Sequence, residues 1–429
     1  MELRYRAIGR PLAAALASIL AAPHPAHAQS AVTISGVFKV SVEALRIEQG
    51  AAARAGRNNS ETRVADDSSR IAFNVTEDLG GGLQAIGQVT LQLPMSSGNV
   101  LQASGNTHMG MRSASMGRLF VGRQDVHYYN NESFLTYLAG DLRADSISVV
   151  SFMRDGVTAI AGATRTPNII HYLTPNWGGF TAILAYSTGP SPGPATGQPN
   201  GSNVGAAFNP ALIAQPQQGD LQSGIRKGYA IHVNPNFAGP NYRVGWSYWK
   251  SRPDVVVGAT QPGNTLSSGD QLGNKLYGSF DVSGLRIGVV VDKSRIKAST
   301  PGAGLAGVSG IGGIAGGAFS AGTELGNRTA WSIPMTYATG NNRFHFHYTK
   351  ARDDRATQGI TDGARMIALS YQYLLSKRTA VGLTYAKIIN DTGAAYNFFT
   401  SPSLGNSAGS AVTVGEDPRI FSGTIRHAF

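Results

Sequence analysis

The chain has 429 residues, 36 Lys plus Arg against 25 Asp plus Glu, a formal charge of +11 and no cysteine. The lack of thiols excludes disulfide scaffolds and thiolate metal centres. With 42% hydrophobic and 14% charged residues, neither a disordered polyelectrolyte nor a bundle of membrane-spanning helices fits. Several soluble domains or one large closed barrel would suit the length, so the residue pattern has to decide.

The first segment reads as an export signal. Arg4, Arg6 and Arg10 make a basic start, residues 11–22 form a short apolar run, and Ala26-His27-Ala28 offers small residues where a signal peptidase cuts. The run is too short to span a bilayer and lacks the polar face of a buried amphipathic helix. Cleavage after Ala28 would remove residues 1–28, lower the formal charge to +9 and leave residues 29–429 as one body.

From Val32 onward the apolar residues recur with period two. Val32, Ile34, Phe38, Val40 and Val42 share one face, Thr33, Ser35, Lys39, Ser41 and Glu43 the other, with Val37 the exception. The alternation returns at Ile71, Phe73 and Val75 against Arg70, Asn74 and Thr76, before Gly80-Gly81-Gly82 turns the chain. Continued to the last residue, this reading predicts sixteen strands, the first near 32–45, the second near 68–78 and the last near 418–429. Short turns such as Ser283-Gly284 and Ser376-Lys377 alternate with long connections rich in Gly, Ser, Asn and Pro.

Segregated loop lengths are what an outer-membrane barrel needs, with short turns on one side and long loops on the other. Closure is required because an open sheet edge in hydrocarbon leaves backbone groups unpaired at several kcal/mol each. The predicted fold class is therefore all-β, a 16-stranded antiparallel transmembrane barrel. Aromatics such as Tyr172, Trp177, Tyr242, Trp246, Trp249 and Tyr371 would supply interfacial girdles. The uncharged stretch 298–323 is broken by many glycines and reads as a loop rather than a helix.

Other motifs carry less. His345 and His347 flank Phe346 and share a strand face, which suits a lumen wall better than a metal site because no third ligand is near. Gly310-Ile311-Gly312-Gly313 lacks the βαβ context of a phosphate loop. No nucleophile elbow or His-Glu-x-x-His pair occurs, and the basic residues are scattered rather than gathered into a nucleic-acid patch. No enzyme activity, cofactor, metal or nucleic acid is expected. A barrel whose outward loops bind a surface ligand, and a barrel enzyme with a rim nucleophile, are the rival readings.

Ser69-Arg70-Ile71-Ala72-Phe73, Glu77-Asp78-Leu79-Gly80-Gly81-Gly82-Leu83, Gly117-Arg118-Leu119-Phe120-Val121-Gly122-Arg123-Gln124, Pro175-Asn176-Trp177-Gly178-Gly179-Phe180 and the closing Ile425-Arg426-His427-Ala428-Phe429 together resemble the general diffusion porins of Gram-negative bacteria, the β-proteobacterial branch above all. The resemblance implies a homotrimer in the outer membrane, set in lipid and lipopolysaccharide, each barrel holding a water-filled pore for ions and small hydrophilic solutes. It further implies that the third outward loop, here residues 125–164, folds into the lumen as a constriction. By position in the matching motifs, Lys39, Arg70, Arg123 and Arg165 would form a basic wall cluster, facing Glu132, Asp141 and Asp145 on the loop, with Arg143 and Arg154 nearby. Periodicity independently puts Lys39 and Arg70 on the non-lipid face. Arg123 alternates with Leu119 and Val121, so its inward placement needs a strand end or bulge, and Arg165 precedes the sixth strand. For each the alternative is an ordinary solvated rim side chain. The basic balance of the chain favours anions.

Overall fold

The structure is a computed structural model that describes residues 31–48, 59–93, 95–96, 105–128, 144–151, 165–188, 229–252, 270–297, 324–357, 359–398 and 412–429. The expected export signal, 1–28, and the glycine-rich stretch 298–323 lie outside the described residues.

The strands are β1 (Ala31–Glu48), β2 (Ser60–Asp66), β3 (Arg70–Gly80), β4 (Leu83–Gln92), β5 (Thr107–Ser113), β6 (Gly117–Asp125), β7 (Arg165–Leu173), β8 (Phe180–Ser187) and β9 (Tyr229–Ala238). The ring continues with β10 (Tyr242–Arg252), β11 (Asp270–Val282), β12 (Leu285–Lys297), β13 (Glu324–Thr339), β14 (Asn342–Ala351), β15 (Ala364–Leu374), β16 (Thr379–Asn390) and β17 (Asp417–Ala428). One helical turn, α1 (Ile147–Val150), lies between β6 and β7. Each strand pairs antiparallel with its neighbours, and β17 closes on β1 from Val37↔Ala428 to Glu48↔Asp417. Among the described residues every strand has a partner on both sides, so the ring presents no open sheet edge to lipid.

All sixteen expected strands are present, and one segment is new. β2 pairs with the upper half of β1, residues 40–46, whereas β3 pairs with the lower half, residues 31–37. The two segments thus share one place in the ring, which keeps sixteen positions. The break between them is satisfied internally: Asp67 N–H and Ser69 Oγ both donate to the Lys39 carbonyl, and the Asp66 carboxylate accepts the N–H groups of Ser68 and Ser69. Alternation alone does not report such a break, because Glu61 and Arg63 put charges where a second half-strand begins.

One face of every strand carries large exposed apolar residues. On β15 these are Ile367, Leu369, Tyr371 and Tyr373, while Met366, Ala368, Ser370 and Gln372 turn inward. This is the lipid-out, lumen-in dyad of a membrane barrel. Trp249 departs from the expected girdle: it faces inward, fully buried, with its ring 6.3 Å from that of His232 and its Nε1 donating to Ser251 Oγ at 3.1 Å.

The short connections gather at one end, together with both Ala31 and Phe429. The two-residue turn Ser283-Gly284 has φ of 48° and 83°, the positive pair that a tight hairpin between twisted strands requires. The core of this barrel is not between strands but between the inner wall and chain folded onto it. Inward alanines at 330, 351, 364, 368 and 386 leave room beside Met366, and Ala144 and Val149 of the β6–β7 connection and Tyr396 and Phe398 of the β16–β17 connection pack into that space.

Candidate pore constriction and its mouth

The connection after β6 turns into the barrel at once. Val126, His127 and Tyr128 are buried. His127 Nδ1 lies 2.8 Å from Ser247 Oγ on β10, and its Nε2 lies 3.4 Å from Asp292 Oδ2 on β12. Tyr128 OH is 2.8 Å from Ser294 Oγ, and Lys275 Nζ donates to the His127 carbonyl. Ser247, Lys275 and Asp292 are cross-strand partners, so they share one inward row.

Further along, the buried stretch 144–151 is held by Arg328 of β13. Its guanidinium donates to the carbonyls of Val149, at 2.7 Å, and Val150, and reaches Asp292 Oδ1 at 3.2 Å. A buried arginine with these acceptors gives the last carbonyls of a one-turn helix the partners they would otherwise lack. The described parts of the connection therefore touch β10 to β15, on the far side of the ring from β6. Burial, reinforced by the charge of Lys275, holds His127 down at about 4 despite its contact with Asp292, so the imidazole docks neutral.

The predicted wall residues divide. Arg70 pairs in register with the inward Val37, and its side chain is exposed, which puts it in lumen water. Lys39 also faces inward, yet it is nearly buried: its ammonium lies 2.6 Å from Asp67 Oδ2, with side-chain exposures of 11% and 1%. The bulge that an inward Arg123 needs falls at that residue, as a register shift between Gly122 and Gln124 against β7, where Asn168 has a φ of 51°. Arg123 itself is partly buried, within electrostatic reach of Arg165 and Asp125. Arg165 meets Asp125 at 3.0 Å. Of the loop acids, Glu132 and Asp141 lie outside the described residues, as do Arg143 and Arg154. Asp145 is fully buried, its Oδ1 accepting the Ile147 N–H at 2.9 Å.

Three inward acids beside the wall are withdrawn from water. Glu43 is buried against Arg63 Nε at 3.1 Å, Asp67 against Lys39, and Asp292 among His127, Arg328 and Ser294. Inward arginines at the short-turn end are not. Register places Arg112, Arg118, Arg243, Arg286, Arg343 and Arg426 on the lumen face close to that mouth, from β5, β6, β10, β12, β14 and β17. Among the described residues the inward acids there are Asp78 and Asp281, the latter paired with Arg286 at 2.7 Å. Arg118 is steadied over the Phe120 ring, itself sandwiched between the imidazoles of His108 and His171. Gly110 makes this stack possible, since a β-carbon there would collide with the backbone of Leu119 and Phe120.

Sequence alternation puts Arg343 inward with His345 and His347 but passes over the other five, although the signal was present, as for Arg243 between the outward Tyr242 and Val244. It could not find Asp67 or Arg328, whose partners are separated from them by many residues. His345 and His347 do face inward, His345 Nδ1 lying 3.1 Å from Thr336 Oγ1, and among the described residues no third ligand joins them.

The chain is similar to known proteins along most of its length. A family model described as Gram-negative porin matches residues 13–393. Outer membrane porin protein 32 of Delftia acidovorans is 31% identical over 178 residues, 40% of this chain and 47% of that one. Major outer membrane protein P.IB of Neisseria meningitidis serogroup B is 25% identical over 194 residues, 45% of this chain and 54% of that one. The chain thus spans about half the length of the curated relatives it matches. Among solved structures, an anion-selective porin from Comamonas acidovorans superposes with a TM-score of 0.64 at 18% identity, over 94% of this chain and all of that one. The trimer form of OmpT from Vibrio cholerae gives 0.55 at 12% identity, over 93% and 99%. With a closed sixteen-place barrel, an apolar outer face, a connection folded against the inner wall and a family match across most of its residues, the chain belongs to the Gram-negative porins of the bacterial outer membrane.

Proposed function

We propose that this barrel is a passive aqueous channel for ions and small hydrophilic solutes, that it prefers anions, and that it works as a homotrimer in lipid and lipopolysaccharide after loss of residues 1–28. The observation that carries the preference is the asymmetry of the lumen wall: Glu43, Asp67 and Asp292 are buried in ion pairs, Arg70, Arg112 and Arg243 are exposed, and at the short-turn mouth six arginines outnumber the two described inward acids, Asp78 and Asp281. A low-dielectric wall focuses the field of such fixed charges across a narrow water path, which enriches the counter-ion and repels the co-ion.

The structural likeness to an anion-selective porin and to a trimeric outer-membrane protein supports this reading. Lys39, Arg70, Arg123 and Arg165 are the wall cluster of the proposal. Glu132 and Asp141 remain its loop acids, while Asp145 acts on loop shape through its bond to Ile147. No bond is made or broken in the solute, so the protein contributes only a shaped, charged path.

The test is electrical. Purified protein added to a planar bilayer is expected to give discrete conductance steps in groups of three, and a reversal potential of the anion-selective sign under a KCl gradient. A silent bilayer removes the channel, single ungrouped steps remove the trimer, and a cation-selective sign removes the preference.

A further inference from the structure

Two of the arginines at the short-turn mouth are direct neighbours. Arg112 on β5 stands opposite Arg118 on β6, one rung from the turn that joins the two strands, and each lies within electrostatic reach of the other. Elsewhere at this mouth Arg286 has Asp281, and Arg343 donates to the carbonyls of Gly340 and Asn342 at 2.8 Å. No carboxylate among the described residues pairs with Arg112 or Arg118. Their rung continues through Gln84 to Asp78 on one side and through Leu173 to Ile183 on the other. Asp78 is two strand spacings from Arg112, about 10 Å, and its Oδ1 already accepts the Gly80 N–H at 2.9 Å. Glu77 alternates to the lipid side.

Like charges set opposite each other on adjacent strands destabilise a sheet, yet the surroundings hold this pair together. Arg112 Nε donates to Gln84 Oε1 at 2.8 Å, which leaves both of its Nη groups without a protein partner among the described residues. Arg118 Cζ lies 5.1 Å from the centre of the Phe120 ring, and its Nε is buried with no hydrogen-bond acceptor. Phe120 cannot yield, because His108 and His171 stack against it at 4.1 and 4.4 Å. A buried donor without an acceptor is costly, and so is the repulsion between the two guanidinium groups. An anion seated between them relieves both.

We infer that Arg112 and Arg118 form a docking station for a divalent tetrahedral oxyanion of the phosphate type, at the periplasmic mouth of the pore. A guanidinium is a planar fork that meets two oxygens at once. Two forks rooted roughly 5 Å apart suit an ion that offers several oxygens and two charges. Chloride offers a single point of charge and fills neither fork. The station lies five residues along β6 from Arg123, roughly 16 Å of strand, so it is separate from the constriction. The inference rests on the reading of this barrel as an anion-preferring channel, and it adds an ion that is held there as well as passed.

The test uses the full protein in a planar bilayer under a KCl gradient. Inorganic phosphate is the probe, added equally to both sides at mildly alkaline pH, where the dianion prevails. A dianion between the two arginines cancels their field, so the anion-to-cation permeability ratio should fall about twofold and level off at millimolar phosphate. Acetate, planar and singly charged, should give no such plateau. Arg112→Gln with Arg118→Gln should start from a lower ratio and show no response to phosphate. Arg112→Lys with Arg118→Lys keeps both charges and loses both forks. It should start nearer to the unchanged protein than the glutamine variant does, and need about fivefold more phosphate. Line broadening of the phosphate phosphorus resonance by detergent-solubilised protein reads the same site without conduction. No phosphate response in the unchanged protein by either measurement overturns the inference, as does an equal response in the glutamine or the lysine variant. A cation-selective unchanged protein that still responds to phosphate would remove the anion preference and leave this site standing.

Discussion

Lys39 and Asp67 meet at 2.6 Å across the break between β2 and β3, almost out of water. The pair is neutral as a unit, so the lysine that sequence position nominates for the pore wall contributes little field while its partner is present. Asp67→Asn should therefore raise anion preference, because it leaves the Lys39 charge uncompensated beside the lumen, whereas Lys39→Ala should change selectivity less. Reversal potentials of the two variants under one salt gradient check this, and a larger effect from Lys39→Ala would contradict it. Removing one member of a buried pair costs roughly 3–5 kcal/mol, so Asp67→Asn should also unfold at lower temperature.

Arg70 is exposed on the inward face and should act on ions directly. Arg70→Glu reverses one charge next to the ion path, worth about 1 kcal/mol at a separation of several ångströms in water, or roughly a fivefold fall in the anion-to-cation permeability ratio. Arg70→Lys should preserve most of the ratio. The effect should shrink as salt rises from 0.1 M to 1 M, since screening shortens the reach of the charge.

Arg328 joins the inner wall to the carbonyls of Val149 and Val150 and to Asp292. Arg328→Ala leaves Asp292 with a neutral histidine and frees the end of α1, at a cost of about 3–5 kcal/mol. Limited proteolysis is expected to cut within residues 129–151 far faster in the variant, with noisier single-channel current, while strand content by circular dichroism holds. An uncut loop would show that the alanine bed beneath it suffices.

Acid should loosen the same contact. His127 sits at about 4, below its ordinary 6.5, so the unfolded or undocked chain binds a proton that the docked chain refuses. Its contribution is complete above pH 6.5 and is lost as pH falls toward 4, by up to roughly 3 kcal/mol. Amide exchange in residues 126–128 should accelerate over that window, and His127→Gln should flatten the dependence.

Period-two alternation and the sorting of loop lengths were enough to name the barrel, its sixteen places and the inward faces of Lys39, Arg70, His345 and His347, because each depends only on residues near in sequence. The β2 segment stayed hidden for the same reason: its half-strand is defined by the ladder it makes with residues 40–46 of β1, not by a pattern of its own. Charge balance alone favoured an anion path without saying where. Only the closed ring decided that, by bringing Asp67 to Lys39, Asp292 to Arg328 and Arg63 to Glu43. An ionic side chain has the same sequence whether its charge faces water or is cancelled by a partner, and the partner is chosen by strand register and by the described segments 126–128 and 144–151 that pack on the inner wall.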